Sequence, residues 1–109
     1  MVNIRFKNDR PSLDKIKSIW NNFKGIPQTK KFPMAPERPI IYFDETDRPQ
    51  PKLDLDLEKG MAITVGRLVE DKFFDARYVS LSHNTVRGAA GGAILMAELL
   101  IYKGYIHGN

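Results

Sequence analysis

No cysteine occurs among the 109 residues, which excludes disulfides, thiolate metal sites and a thiol nucleophile within this chain. A cytoplasmic setting is compatible with that absence. No apolar run reaches the roughly 20 residues that a bilayer-spanning helix takes, so no membrane partner is expected. No secretory signal pattern opens the chain, and no internal repeat or low-complexity tract interrupts it. Charge of one sign is not strongly in excess: 17 Lys and Arg stand against 13 Asp and Glu, a net charge of +4. That balance suits an anionic ligand, but without a long basic run it does not mark a nucleic-acid surface, and no nucleic-acid partner is expected. The acidic residues Asp44, Glu45, Asp47, Asp54, Asp56 and Glu58 lack the twelve-residue calcium loop with its central glycine. They read as a solvated loop, and no metal site is expected. The length leaves room for one domain, residues 1–109, with a modest core.

What is present follows two periods. Val2, Ile4 and Phe6 alternate with Asn3, Arg5 and Lys7, predicting a half-buried strand over Val2–Lys7. Its start almost at the first residue suits a chain that begins in the middle of a larger fold. Ser12 after Pro11 predicts a helix start, and Leu13, Ile16, Ile19, Trp20 and Phe23 share one face down to a stop at Gly25. Trp20 is therefore assigned to the core, not to a binding platform. Six of the seven prolines fall between Pro27 and Pro51, which predicts an extended crossing free of regular helix, with one short strand at Ile40–Phe43. Arg48, set before Pro49 and Pro51, is available for an ion pair across a subunit contact. Met61–Val69 and Phe73–Ser82 are β-branched and aromatic and predict a hairpin. The sum is an α+β fold, a mostly antiparallel sheet with helices packed on it.

The stretch from His83 to Lys103 differs from all of this. Gly88, Ala89, Ala90, Gly91, Gly92 and Ala93 allow a helix N-terminus to approach something flat or charged, or a neighbouring element, very closely. Ligand contact and close packing both remain open on spacing alone. From Ala89 to Ile101 the only charged residue is Glu98, so the helix is apolar nearly all round and should be enclosed on several sides, wedged between two layers. Lys103 and Gly104 supply a cationic last turn and a glycine stop.

HNTVRGAAGGAILMAELL followed by KGYI resembles the C-terminal signature of aspartate-semialdehyde dehydrogenases of the archaeal and fungal branch, and of the related malonyl-CoA reductases. GMAITVGRL at Gly60–Leu68 and DRPQP at Asp47–Pro51 resemble the same family at the same relative spacing. The resemblance covers the whole chain, which corresponds to the last part of a protein several-fold longer. It implies part of a catalytic and dimerisation domain, with NADP as the cofactor of the complete enzyme and a homo-oligomer formed through the sheet. The missing N-terminal Rossmann half is the other implied partner. In that family an acyl phosphate is reduced through a cysteine thioester with a histidine as acid and base. The cysteine, the histidine, the substrate arginine and the dinucleotide fingerprint all precede the matched segment, and neither His83 nor His107 matches the catalytic histidine. No catalytic residue is therefore assigned here. By the resemblance, Asn84, Gly88, Ala89 and Gly91 border the nicotinamide, Arg87 either braces the turn or touches ligand, and His83 is structural, a neutral ring with a hydrogen-bond partner. The alternatives implied are a malonyl-CoA or succinyl-CoA reductase of the same build and, from another class, a standalone dimerisation or regulatory module.

Overall fold

A computed structural model describes residues 1–107. In chain order it contains β1 (Val2–Ile4), α1 (Leu13–Asn22), the short α2 (Ile26–Thr29), β2 (Ile40–Phe43), the short α3 (Pro51–Asp54), β3 (Ile63–Glu70), β4 (Ala76–Leu81) and α4 (Gly91–Tyr102). The four strands form one sheet in the order β1-β4-β3-β2. β1 with β4 and β4 with β3 are antiparallel, and β2 with β3 is parallel. The expected α+β class and mostly antiparallel sheet are what the structure has.

Local chemistry explains the hairpin and the first helix. Asp71 accepts the N–H groups of Phe73, at 2.8 Å, and Phe74, at 3.2 Å, which closes the β3–β4 turn and holds its carboxyl below the usual carboxylate range. Ser12 caps α1 by accepting from Lys15 N–H at 3.2 Å. Leu13, Ile16 and Trp20 of α1 then lie on the sheet, where Ile16, Leu68 and Ala76 form the buried cluster with Phe6, Leu13, Trp20, Tyr42 and Tyr78 around it, whereas Ile19 and Phe23 of the expected face stay about half exposed. Trp20 stacks on Tyr42 at 5.9 Å and meets Tyr78 edge-on at 4.9 Å, so it belongs to the core as its periodicity predicts.

Several expectations are corrected. Strand pairing stops at Ile4, because beyond it Phe6 N–H turns to the Asp75 carboxylate at 2.6 Å. The proline-rich crossing is not free of helix. Pro27 and Pro51 sit in the first turns of α2 and α3, where the missing N–H is tolerated. The acidic stretch is not uniformly solvated, since Asp54 is 2% exposed and holds the Arg48 guanidinium. Arg48 thus has an ion-pair partner inside its own chain, and its side chain keeps 23% of its surface exposed. Its guanidinium also lies 4.3 Å from the centroid of Phe43, and the Arg48 carbonyl sits directly over Gly66 of β3, a position only glycine leaves open.

The largest departure concerns α4. Its all-round apolar sequence predicts a place between two layers, yet only Gly91 and Leu95 are buried, while Ile94, Met96, Ile101 and Tyr102 are each about half exposed. The helix rests on the crossing segment. Glu98 accepts Met34 N–H with both carboxylate oxygens at 3.1 Å, and Tyr102 packs on Phe32 at 5.6 Å. The radius of gyration, 15.8 Å, exceeds the about 13 Å expected of a compact domain of this length. The physical reason is that a single sheet has one face for α1 and no second layer to close over α4.

Candidate functional site

The strand β4 ends at Leu81 and delivers the chain into the glycine-rich turn, whose backbone is wound wider than an α-helix. Gly88 N–H donates to the His83 carbonyl at 3.0 Å and Ala90 N–H to the Thr85 carbonyl at 3.3 Å, five residues back in each case. Val86–Ala90 is thus a π-turn that runs directly into α4, a geometry that recurs at functional sites because it widens the backbone locally.

His83 anchors the start of this turn. Its Nδ1 accepts Val86 N–H at 3.2 Å and lies 3.3 Å from the Thr85 hydroxyl, while Nε2 is 3.8 Å from the Asp56 carboxylate. The ring is backed by Gly60, where a Cβ would come within 3.2 Å of both the His83 ring and Val86. Glu58, Lys59 and Gly60 all have left-handed backbone conformations, with φ of 53°, 57° and 84°. Glu58 is held there because its carboxylate accepts the N–H groups of Glu37, at 3.1 Å, and Arg38, at 3.4 Å. Glu58 and Lys59 are two consecutive non-glycine residues in the left-handed region, a concentration of backbone strain, whereas Gly60 adopts it freely. Sequence reading missed Asp56 beside His83 and the bonds from Glu58 to the Glu37 and Arg38 amides, since nothing in the spacing of these residues shows the contacts; only Gly60 carries a local signal.

The four residues singled out in the sequence divide into two kinds. Asn84, Gly88 and Ala89 are exposed. A Cβ on Gly88 would lie 3.9 Å from Asn84 Oδ1 and 3.7 Å from the His83 carbonyl, which are ordinary contacts, so the chain's own packing does not require glycine at this position. Gly91 is buried, and a Cβ there would collide with Met61 Sδ and the Val86 carbonyl, so packing inside the chain already accounts for it. The turn therefore brings Asn84 and Gly88 together at the surface and places Gly91 behind them. Arg87 lines a groove of about 190 Å³ with Pro27, Gly92, Leu95, Met96 and Leu99, on the flank of α4. A larger cavity of about 460 Å³ is formed wholly by residues between Lys24 and Glu37 and does not include the turn. Among the described residues no group of three His, Asp or Glu side chains is placed to hold a metal ion, and no helix is long and apolar enough to cross a membrane.

Comparison with known proteins bears on the whole of this architecture. The chain is 47% identical over 109 residues to an aspartate-semialdehyde dehydrogenase of Aspergillus fumigatus, covering 96% of this chain and 30% of that protein. It is 48% identical over 95 residues to the aspartate-semialdehyde dehydrogenase of Methanothermobacter thermautotrophicus, covering 85% and 27% of the two chains. A malonyl CoA reductase (NADP) of Metallosphaera sedula is 48% identical over 105 residues, covering 94% and 29%. A solved structure of Candida albicans aspartate semialdehyde dehydrogenase with NADP superposes with a TM-score of 0.83 at 40% identity, covering 94% of this chain and 29% of that one. The chain thus spans about 30% of the length of the curated relatives it matches. The family model described as semialdehyde dehydrogenase, dimerisation domain, matches residues 1–87, and with that match the chain belongs to the semialdehyde dehydrogenase dimerisation-domain family.

Proposed function

We propose that this chain forms a single domain, residues 1–109, acting as the C-terminal, dimer-forming portion of an NADP-dependent aspartate-semialdehyde dehydrogenase in the cytoplasm. Its working element is the Asn84–Gly88 turn, facing the nicotinamide of NADP. The observation that carries this reading is the glycine at position 88. It is exposed, its Cβ would meet no close neighbour in its own chain, and it sits against the Asn84 side chain. A partner outside the described structure is then the reason for the small residue. The apolar, half-exposed face of α4, with Ile94, Met96, Ile101 and Tyr102, is where a Rossmann half of the same enzyme would close over the turn.

When bound, NADP carries the hydride exchanged with the acyl carbon. Asn84 offers a side-chain amide that both donates and accepts, matching a carboxamide. Gly88 and Ala89 give clearance and backbone polar groups, and Gly91 keeps α4 tight against Met61 so that the turn does not move. The acyl intermediate has to form elsewhere, because without cysteine this chain has no thiolate to attack an acyl phosphate. A malonyl-CoA reductase reading is favoured by one observation, the 48% identity to such an enzyme, which equals the identity to the Methanothermobacter thermautotrophicus aspartate-semialdehyde dehydrogenase. The segment is common to both substrate classes.

The test is Asn84→Ala and Gly88→Val in the full-length enzyme carrying this segment. Both should weaken NADP(H) binding with little change in thermal stability, Asn84→Ala by about 1 to 2 kcal/mol for one lost hydrogen bond and Gly88→Val by more. Unchanged cofactor affinity in both variants would remove the turn from the cofactor site. The 109-residue chain by itself should show no NADP-linked turnover of aspartate semialdehyde, and activity above a matched blank would overturn the assignment of the nucleophile to another part of the enzyme.

A further inference from the structure

We infer that His83 is a positioning residue whose unprotonated Nδ1 holds the Asn84–Gly88 turn in its cofactor-ready shape; this rests on the cofactor reading of the turn given above. The Val86 N–H, three residues on, is a donor that the π-turn leaves without a helical partner, because the five-residue hydrogen bonds begin only at Gly88. Nδ1 takes that donor at 3.2 Å and stands 3.3 Å from the Thr85 hydroxyl, so one ring nitrogen spans both residues that follow Asn84. The arrangement is that of an N-cap built from imidazole, and like other caps it fixes the angle at which the chain enters the helix. The Val86 N–H donating to Nδ1 makes that nitrogen the acceptor and leaves the ring proton on Nε2, whose side faces the exposed Asp56 carboxylate at 3.8 Å.

Two further features hold the ring in place. Gly60, left-handed at φ 84°, lets the backbone approach the ring edge without a side chain, and the adjacent Glu58 is pinned to the Glu37 and Arg38 amides. Asp56 is the only carboxylate among the described residues within 4.0 Å of a ring nitrogen. A proton added at Nδ1 would turn the acceptor into a donor, so the Val86 N–H would lose its partner while the imidazolium paired with the Asp56 carboxylate. The cap is therefore expected to open when Nδ1 is protonated.

The experiment compares wild type, His83→Asn and His83→Gln. Asparagine puts an amide oxygen near the position of Nδ1 and glutamine near that of Nε2. In the 109-residue chain, nitrogen NMR should show that Nδ1 carries no proton whenever the Val86 amide is protected, and that protection is lost when Nδ1 takes up a proton. This measurement needs no variant to fold. Val86 protection should survive in His83→Asn and fall about tenfold in His83→Gln. In the full-length enzyme the Kd for NADP should rise about tenfold in His83→Gln, as for a turn competent only a tenth of the time, and return to within about twofold of wild type in His83→Asn. Val86 protection that ignores both Nδ1 protonation and the Gln substitution would overturn the inference, while leaving the Asn84 and Gly88 tests of the cofactor reading untouched. Protection that follows the side chain with NADP affinity constant would overturn the coupling of the cap to cofactor, and equal affinity also in Asn84→Ala would place the failure in the cofactor reading itself.

Discussion

Replacing Asp54 by asparagine removes the charge from the one buried carboxylate among the described residues. Asp54 is 2% exposed, and its two oxygens accept the Arg48 Nε–H at 2.8 and 3.1 Å, a second guanidinium N–H, and the Gln50 N–H at 2.8 Å. Asparagine keeps the volume but turns one acceptor into a donor that faces the guanidinium. A hydrogen bond to a charged group is worth about 1.5–3 kcal/mol, and breaking a buried pair costs about 3–5 kcal/mol. The Arg48 side chain keeps 23% of its surface in solvent, so water and the Phe43 ring take up part of the loss. The expected cost of Asp54→Asn is therefore about 2 to 3 kcal/mol, or roughly 10 to 20 °C in Tm for a domain of this size. The bond from Arg48 is the first cause of an Asp54 carboxyl held below its ordinary range, followed by the opposing effect of burial and the Gln50 N–H. Because the folded value is depressed, this stability is fully present above the unfolded carboxyl's range, near pH 4, and is lost as pH falls further through the folded value. Circular-dichroism melts at neutral pH, repeated at descending pH, give both readouts. A Tm change under about 3 °C at neutral pH, or a variant whose stability declines below pH 4 as steeply as wild type, would refute the reasoning.

Gly66→Ala should lower stability by about 1 to 3 kcal/mol, because its Cβ would be 2.8 Å from the Arg48 carbonyl carbon and 2.9 Å from Pro49 Cδ, and the loop has to lift; an unchanged denaturation midpoint would contradict that contact. Gly91→Val should unfold or loosen the α4 junction whereas Gly88→Ala should melt like wild type, and the reverse order would exchange the packing and surface roles given to the two glycines. The isolated chain should self-associate at micromolar concentration. Ile94, Met96, Ile101 and Tyr102 leave on the order of 100 Å² each uncovered, so about 400 Å² and about 10 kcal/mol of gross transfer free energy favour a covered state. Sedimentation velocity should show species above 12.5 kDa, and a clean monomer that binds no hydrophobic dye would show that the helix face needs no cover.

Local pattern determined much of this protein. The alternation at Val2–Ile4, the face of Leu13, Ile16 and Trp20 behind a Ser12 cap, the β-branched hairpin and the apolar run after the glycines each bias the backbone through neighbours a few residues away, so they are legible in the sequence. The motif at Asn84–Gly91 is also legible as a turn that needs small residues. Tertiary structure alone decided which glycine serves which purpose, since a Cβ on Gly91 would collide with Met61, thirty residues earlier, while one on Gly88 would make only ordinary contacts with His83 and Asn84. It likewise decided that Arg48 folds back onto Asp54, that Glu58 reaches the amides of Glu37 and Arg38, and that Asp56 faces His83. Charges that look alike along the chain differ in what lies beside them in space, and burial beside a partner is a property of the packed fold. The uncovered face of α4 shows the same division: its apolar residues are written in the sequence, but whether a second layer covers them depends on how many layers the fold supplies.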